Sequence, residues 1–365
     1  MAAATSNTSS RTRRRVALSL ALQGGGAQGA FTWGVLDRLL DEDHIDIVRI
    51  SGSSAGALNG AALASGMARA GREGARDHLQ RLWEQVAQAG SLMTFLMLPL
   101  RKPGMGVWDD ALPLLSPYQT NPLGMAPLRQ ILHTLVDTDA LRKAVAARMA
   151  PELHVNAVHV ATGSERIFGP EDLSVEAVLA SACAPLSYQA IHIDGEAYWD
   201  GSYAANPPLA PLYRSTPDTD ILLVELTPLH RAETPMSAKN ILNRINEVAS
   251  LQGLVGELRA LAEATARARG ATTRMHVLSV ADQQSGPLAT EPSIKRTVGR
   301  VLFEMLRQEG WRACDAWLAD HGDQLGLRST VDIHARYLRP HPWQGAGPAA
   351  SGAAEPSRTD SAAEA

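Results

Sequence analysis

Two short stretches carry residue types that can do acyl chemistry. Gly52-Ser53-Ser54-Ala55-Gly56 fits G-x-S-x-G between a short apolar run, Ile47–Ile50, and a small-residue helical stretch, Ala55–Ala68. A serine at a sharp strand-to-helix turn has its Oγ exposed at the helix start, where the peptide dipoles favour an alkoxide-like state. The flanking Gly52 and Gly56 leave room for a backbone that a larger neighbour would obstruct. By itself the five-residue pattern is weak, because a tight Gly/Ser turn without chemistry gives the same letters. Its placement adds the weight.

Upstream lies Gly24-Gly25-Gly26-Ala27-Gln28-Gly29, again after an apolar run, Val16–Leu22, and before a helical pattern, Gly29–Glu42. Glycines let successive N–H groups turn toward one point, and the following helix N-terminus adds positive potential. The loop therefore suits either a phosphate or an oxyanion. Gly24, Gly26 and Gly29 also satisfy G-x-G-x-x-G. A dinucleotide site needs an acidic residue at the end of the next strand, and here that strand runs into Ser51-Gly52, with Asp43 and Asp46 placed before it. The nucleotide-binding oxidoreductase is the weaker reading.

A serine needs a proton acceptor. The chain has 11 histidines. His78, His133, His154, His159 and His192 fall inside expected helices or strands, which leaves His230 and His276 as candidates for a Ser-acid-His arrangement. The alternative is a carboxylate acting alone. Asp200-Gly201-Ser202 closes an expected strand, Glu196–Asp200, and Tyr198, Trp199 and Tyr203 offer the apolar surround that raises an Asp pKa from its usual value of about 3.9. Asp194-Gly195 has the form of a two-residue hairpin turn and is assigned no chemistry.

These residues need a frame. Strands are expected at 16–22, 47–50, 153–162, 189–194, 196–200, 221–226 and 276–280. Helices are expected at 29–42, 55–68, 71–89, 122–136 (with Asn121 as N-cap and Pro122 first), 174–182, 237–269 and 294–319. Strands separated by helices imply a mainly parallel sheet covered on both faces, an α/β class in three α/β/α layers. Residues 1–15 and 341–365 are polar or Gly/Ala/Pro-rich tails flanking a domain at 16–340. Residues 91–118 are apolar but interrupted by Pro and Gly, and read as core, lid or acyl-chain wall.

Bulk composition excludes other classes. The net charge of −4 gives no basic field for nucleic acid. Two cysteines, Cys183 and Cys314, lack metal-ligand spacing and read as packed thiols. The apolar run after Arg13-Arg14-Arg15 is too short to span a bilayer and is followed by the glycine loop, not by a cleavage site. A cytoplasmic protein is the expectation.

The glycine loop, the serine motif and Asp200-Gly201-Ser202 within EAYWDGSYAANPP, in that order, resemble the patatin-like phospholipase family over about residues 16–215. The resemblance implies a Ser-Asp dyad, with Ser54 as nucleophile and Asp200 as base. It implies an oxyanion hole at Gly24, Gly25 and Gly26, with the amides of Gly25 and Gly26 as donors, and Gly29, Gly52, Gly56 and Gly201 as supporting positions. No metal or organic cofactor is expected. The expected partners are a lipid or other acyl ester and, peripherally, a membrane surface. Two departures stand out. Gln28 replaces a basic residue common in the family, which predicts a weaker positive field toward an anionic lipid. Ser202 replaces Gly or Ala, which predicts little change. A non-catalytic lipid-binding protein with the same fold is the remaining alternative.

Overall fold

The computed structural model of the chain describes residues 14–97, 116–121, 123–216, 218–231, 234–267, 273–282 and 299–339. Most of the 91–118 segment that reads as core, lid or acyl-chain wall lies outside them, at 98–115, as do both expected tails except Arg14 and Arg15.

Eight strands form one sheet: β1 Val16–Leu22, β2 Ile45–Gly52, β3 Glu152–His159, β4 Glu165–Phe168, β5 Ile191–Ile193, β6 Glu196–Asp200, β7 Asp220–Glu225 and β8 Arg274–Ser279. The order is β5-β6-β3-β2-β1-β7-β8, with β4 paired to β3. β3, β2, β1, β7 and β8 are mutually parallel, whereas β4, β5 and β6 add antiparallel pairs at one side. The helices are α1 Gly29–Leu39, α2 Ala55–Met97, α3 Pro117–Thr120, α4 Ala126–Leu135, α5 Thr138–Ala146, α6 Val175–Ser181, α7 Ala210–Tyr213, α8 Ala238–Arg267 and α9 Arg300–His321.

Period-two alternation divides the core into two layers. Leu18, Leu20 and Leu22 of β1, Leu222 and Val224 of β7 and Leu278 of β8 pack with α1, α2, α4, α6 and α9. Ala21, Ile221, Leu223 and Met275 face the other way, onto α7, α8 and Tyr337. Helices on both faces bury both sides of the sheet, giving the expected three-layer α/β/α arrangement. β7 is buried along its whole length, as a central parallel strand must be.

Several expected boundaries move. The helices foreseen at 55–68 and 71–89 are one element, α2, kinked where Ala70 and Gly71 (φ 61°) leave helical geometry. The helix foreseen from Pro122 begins at Ala126, with Pro127 in its first turn. Asn121 does not cap it: its Oδ1 accepts from Gly124 N at 3.0 Å, and its Nδ2 donates to Ser187 O at 2.9 Å. β4 and α5 went unforeseen: the four residues of β4 are of mixed polarity and carry little periodic signal, whereas α5 does carry one, in Leu141, Ala144 and Val145 at helical spacing behind the Asp137 cap. Asp194 (φ 54°) and Gly195 (φ 85°) form the foreseen hairpin turn.

Candidate active site

Strand register brings the predicted residues to one row. Leu22 pairs with Gly52, and Gly52 pairs with Val155. Two positions further along lie Gly24, Ser54 and Ala157, and Ala157 pairs with Asp200. The row lies at the carboxyl ends of parallel strands. It is also next to the point where the order turns from β2-β1 to β7-β8, the usual place for a crevice in an open α/β sheet.

The serine turn is tight. Ser54 has φ 53°, a left-handed conformation that a non-glycine residue holds at a cost of roughly 1–3 kcal/mol. Its neighbours over-determine it. Ser54 N–H donates to Ser181 Oγ at 3.1 Å, Ser53 N–H to Leu22 O at 3.2 Å and Gly56 N–H to Ser53 O at 2.8 Å. A side chain at Gly56 would strike Leu22 O, and one at Gly52 would strike Gly56. Ser54 itself stands at the N-terminus of α2, where the dipole field is positive. Gly29 is the first residue of α1, and a Cβ there would overlap Ala55 and Trp83.

Gly24 fits against the serine so closely that a Cβ would lie 2.7 Å from Ser54 Cβ. Its N–H donates to Asn206 Oδ1 at 2.6 Å, so this amide is engaged within the protein and its place in the loop is one of close approach. Asn206 Nδ2 completes the clamp by donating to Gly24 O at 3.3 Å and Ser250 Oγ at 2.6 Å. Gly25 and Gly26, the latter at φ 58°, follow at the wall of the same cavity. Gln28 is fully buried behind the loop.

Asp200 is buried, and burial pushes its carboxyl pKa up. Hydrogen bonds from the Ser202 amide and hydroxyl, and then the nearby Ser54 hydroxyl, oppose the shift without cancelling it. Ser202 donates to Asp200 Oδ1 from N at 2.9 Å and from Oγ at 2.7 Å. The residue expected to matter little is thus bonded directly to the carboxylate, and it favours the ionised form.

Asn156 joins the serine turn to the Asp200 loop. Ser53 Oγ donates to Asn156 Oδ1 at 2.6 Å and to Ala205 O at 2.9 Å. Asn156 Nδ2 donates to Gly201 O at 3.1 Å, Ala205 O at 3.0 Å and Glu165 Oε1 at 2.7 Å. Gly201 is required because any Cβ would collide with Asn156. Asn156 and Asn206 escaped the sequence reading. Their signal is a polar residue inside an apolar strand and an Asn ahead of Pro-Pro. Asn156→Ala should cost about 1–3 kcal/mol, the usual penalty for unpairing buried polar groups, read as a lower denaturant midpoint with an unchanged m-value.

Neither candidate histidine reaches the site. His276 is fully buried, with Nε2 2.9 Å from Asp220 Oδ1 and Nδ1 3.1 Å from Thr330 Oγ1. Burial works against the Asp220 charge, yet bonds from His276, the Gly326 amide and Arg274 hold its pKa below the usual carboxylate value. His230 is exposed, and no histidine is among the described residues of the cavity wall. Cys183 is close to Asp200 but inert. Burial, then the neighbouring carboxylate, pushes its thiol up to about 12, and Sγ donates to Gln189 O. No cluster of three or more His, Cys, Asp or Glu among the described residues is arranged to hold a metal ion.

The site opens into a cavity of about 470 Å³. One side is apolar, with Leu58, Leu82, Val86 and Leu128. The other is polar, with Asn243, Asn246, Glu247 and Ser250 of α8. A larger cavity, about 680 Å³, is remote from Ser54 and lined by residues such as Arg15, Arg49 and Arg148.

The patatin-like phospholipase family model matches residues 20–213, more than half of the chain and all of the residues above from Gly24 to Asn206. The chain belongs to the patatin-like phospholipase family. Membership makes it an enzyme of the ester-hydrolysing class, a lipid acyl hydrolase. No curated protein matches it by sequence. Among solved structures it is similar to VipD from Legionella pneumophila, at 13% identity and TM-score 0.41, over 89% of this chain and 73% of that one. It is also similar to ExoU in the ExoU-SpcU heterodimer of the Pseudomonas aeruginosa type III secretion system, at 16% identity and TM-score 0.34, over 84% of this chain and 52% of that one. A separate structure of the type III effector ExoU gives 16% identity and TM-score 0.37, over 87% and 54%. The chain thus spans about half the length of the ExoU chains. Among the described residues no helix is long and apolar enough to cross a membrane.

Proposed function

We propose that the chain hydrolyses the carboxylic esters of phospholipids or lysophospholipids through Ser54 and Asp200, without a histidine. The observation that carries the reading is the buried Asp200 carboxyl facing the same cavity as Ser54, at the end of the strand row that holds the serine turn. Desolvation makes this Asp a stronger base than a solvated one. Asp200 takes the Ser54 proton as Oγ attacks the acyl carbonyl, and the N–H groups of Gly25 and Gly26 hold the tetrahedral oxyanion. The C–O bond to the alcohol breaks, and the proton on Asp200 passes to the departing oxygen. Water, deprotonated by Asp200, then attacks the acyl-enzyme, and the proton returns to Ser54 as the acid leaves. A cavity apolar on one side and polar on the other suits an amphipathic ester. Incubation with a short fluorophosphonate and mapping of the adduct tests the reading. The label should sit on Ser54, and a label elsewhere, or none, sinks it.

Contact with a membrane surface is part of the same reading. Leu186 lines the cavity and is 42% exposed, and Tyr118 and Leu123, in a segment bonded to the stretch that follows Leu186, are exposed at 61% and 52%. This apolar lip is tied to the cavity wall by the Asn121 bond to Ser187 and by Ala190 N–H donating to Tyr118 OH at 3.3 Å. Leu123 does not line the cavity. Leu123→Asp should therefore leave hydrolysis of a soluble short-chain ester intact and lower activity on phospholipid vesicles about tenfold or more, from the roughly 1.5–3 kcal/mol lost with one buried leucine. Equal loss on both substrates contradicts the lip.

A further inference from the structure

Two cavities meet at a pair of aromatic rings. Trp83 and Phe303 line both the cavity that holds Ser54 and a second one of about 330 Å³. The rings pack edge to face, with centroids 4.9 Å apart and planes at 74°, and both side chains are buried. The two sides of this wall differ in chemistry. Toward Ser54 the lining is Leu58, Leu82 and Val86. Beyond the rings stands an ion-paired network, with Arg76 2.7 Å and Arg307 2.8 Å from the Asp37 carboxylate and Arg307 2.7 Å from Glu304.

The wall is held at a fixed distance from the serine. Trp83 Nε1–H donates to Asn59 Oδ1 at 3.0 Å, and Asn59 Nδ2 donates to Gly29 O at 2.9 Å and Ala55 O at 3.0 Å. Gly29 and Ala55 are the first residues of the helices that follow the glycine loop and Ser54. One asparagine therefore ties the indole to both halves of the site. The absent side chain at Gly29 is the space the indole fills.

We infer that Trp83 and Phe303 form the end stop for the acyl chain, so that chain length is selected by the distance from Ser54 to these rings. The inference rests on the hydrolase reading. A chain carried on Ser54 runs along Leu58 and Val86, gaining about fourfold in rate for each methylene it buries. At the rings the gain ends, because a further methylene must either displace packed aromatic atoms or enter a space lined by paired charges.

Alkyl fluorophosphonates of graded chain length read the stop directly. Ser54 Oγ–P forms, P–F breaks, fluoride leaves, and the serine proton passes to Asp200. Labelling rates, each divided by the rate of the shortest probe, should rise with length in the wild type and then break. Phe303→Ala should move the break to longer chains, and Val86→Trp should move it to shorter ones. Phe303→Leu gives a smaller shift in the same direction as Phe303→Ala and serves if the alanine variant does not fold. A break at the same length in wild type and in all folded variants, with Ser54 labelled throughout, overturns the end stop and leaves the hydrolase reading standing. Failure of even the shortest probe to label Ser54 overturns both.

Discussion

Ser54→Ala should lower kcat for ester hydrolysis by about 10⁴-fold or more while the protein keeps its fold. Serine hydrolases that lose the nucleophile lose catalysis on this scale, and the residue left is due to the oxyanion site and binding. Removing one oxygen changes little else here. The turn is set by backbone bonds from Ser53, Ser54 and Gly56 and by Ser181, none of which uses Ser54 Oγ. KM for a short ester should move far less than kcat, because the cavity wall is intact. Alanine retains the Cβ and the strained φ, so thermal stability should remain near that of the wild type. A variant with more than a tenth of wild-type kcat would place the nucleophile elsewhere.

Asp200→Asn should cost about 10³–10⁴-fold in kcat, the range seen when a catalytic base is removed and its geometry is kept. Asparagine keeps an oxygen that can accept from Ser202, so the loop should hold its shape. What disappears is the proton acceptor. The pH dependence follows from the raised pKa. The base acts as a carboxylate, so kcat/KM of the wild type should rise with pH through the Asp200 pKa, which lies above the ordinary Asp value. Stability should move the other way. A carboxyl whose folded pKa exceeds its unfolded one holds its proton more tightly in the folded state. Its stabilising contribution is full at low pH and falls as pH rises through the unfolded and then the folded value. Relative to Asp200→Asn, the wild type should therefore lose melting temperature as pH is raised from acid to neutral. A wild type that gains on the variant over that range would mean that Asp200 is held by favourable charge contacts and is not a strained base.

The local elements were legible in the sequence. Val16–Leu22, Gly29–Leu39 and the Asp194-Gly195 hairpin follow from apolar period and turn chemistry, which act over a few residues. The α/β/α layering follows from the alternation of those elements. The glycine loop and G-x-S-x-G are legible as local patterns, and glycine at 52 is demanded by the turn itself, where a Cβ would meet Gly56, whereas glycine at 56 is demanded by Leu22 at the end of β1, a contact no local window shows. What the sequence left open was which groups would meet Ser54. Histidine or aspartate as partner was undecided on residue types alone, and strand register decides what lies near: Asp200 arrives opposite Ala157, whereas His276 is buried against Asp220. The bonds that lock the site run from Asn206 to Gly24, across 182 residues, and from Ser53 to Asn156, across 103. No window of sequence carries such pairings. They exist because parallel strands end together and bring their loops to one edge, and the aromatic wall of Trp83 and Phe303 exists because α2 and α9 pack there.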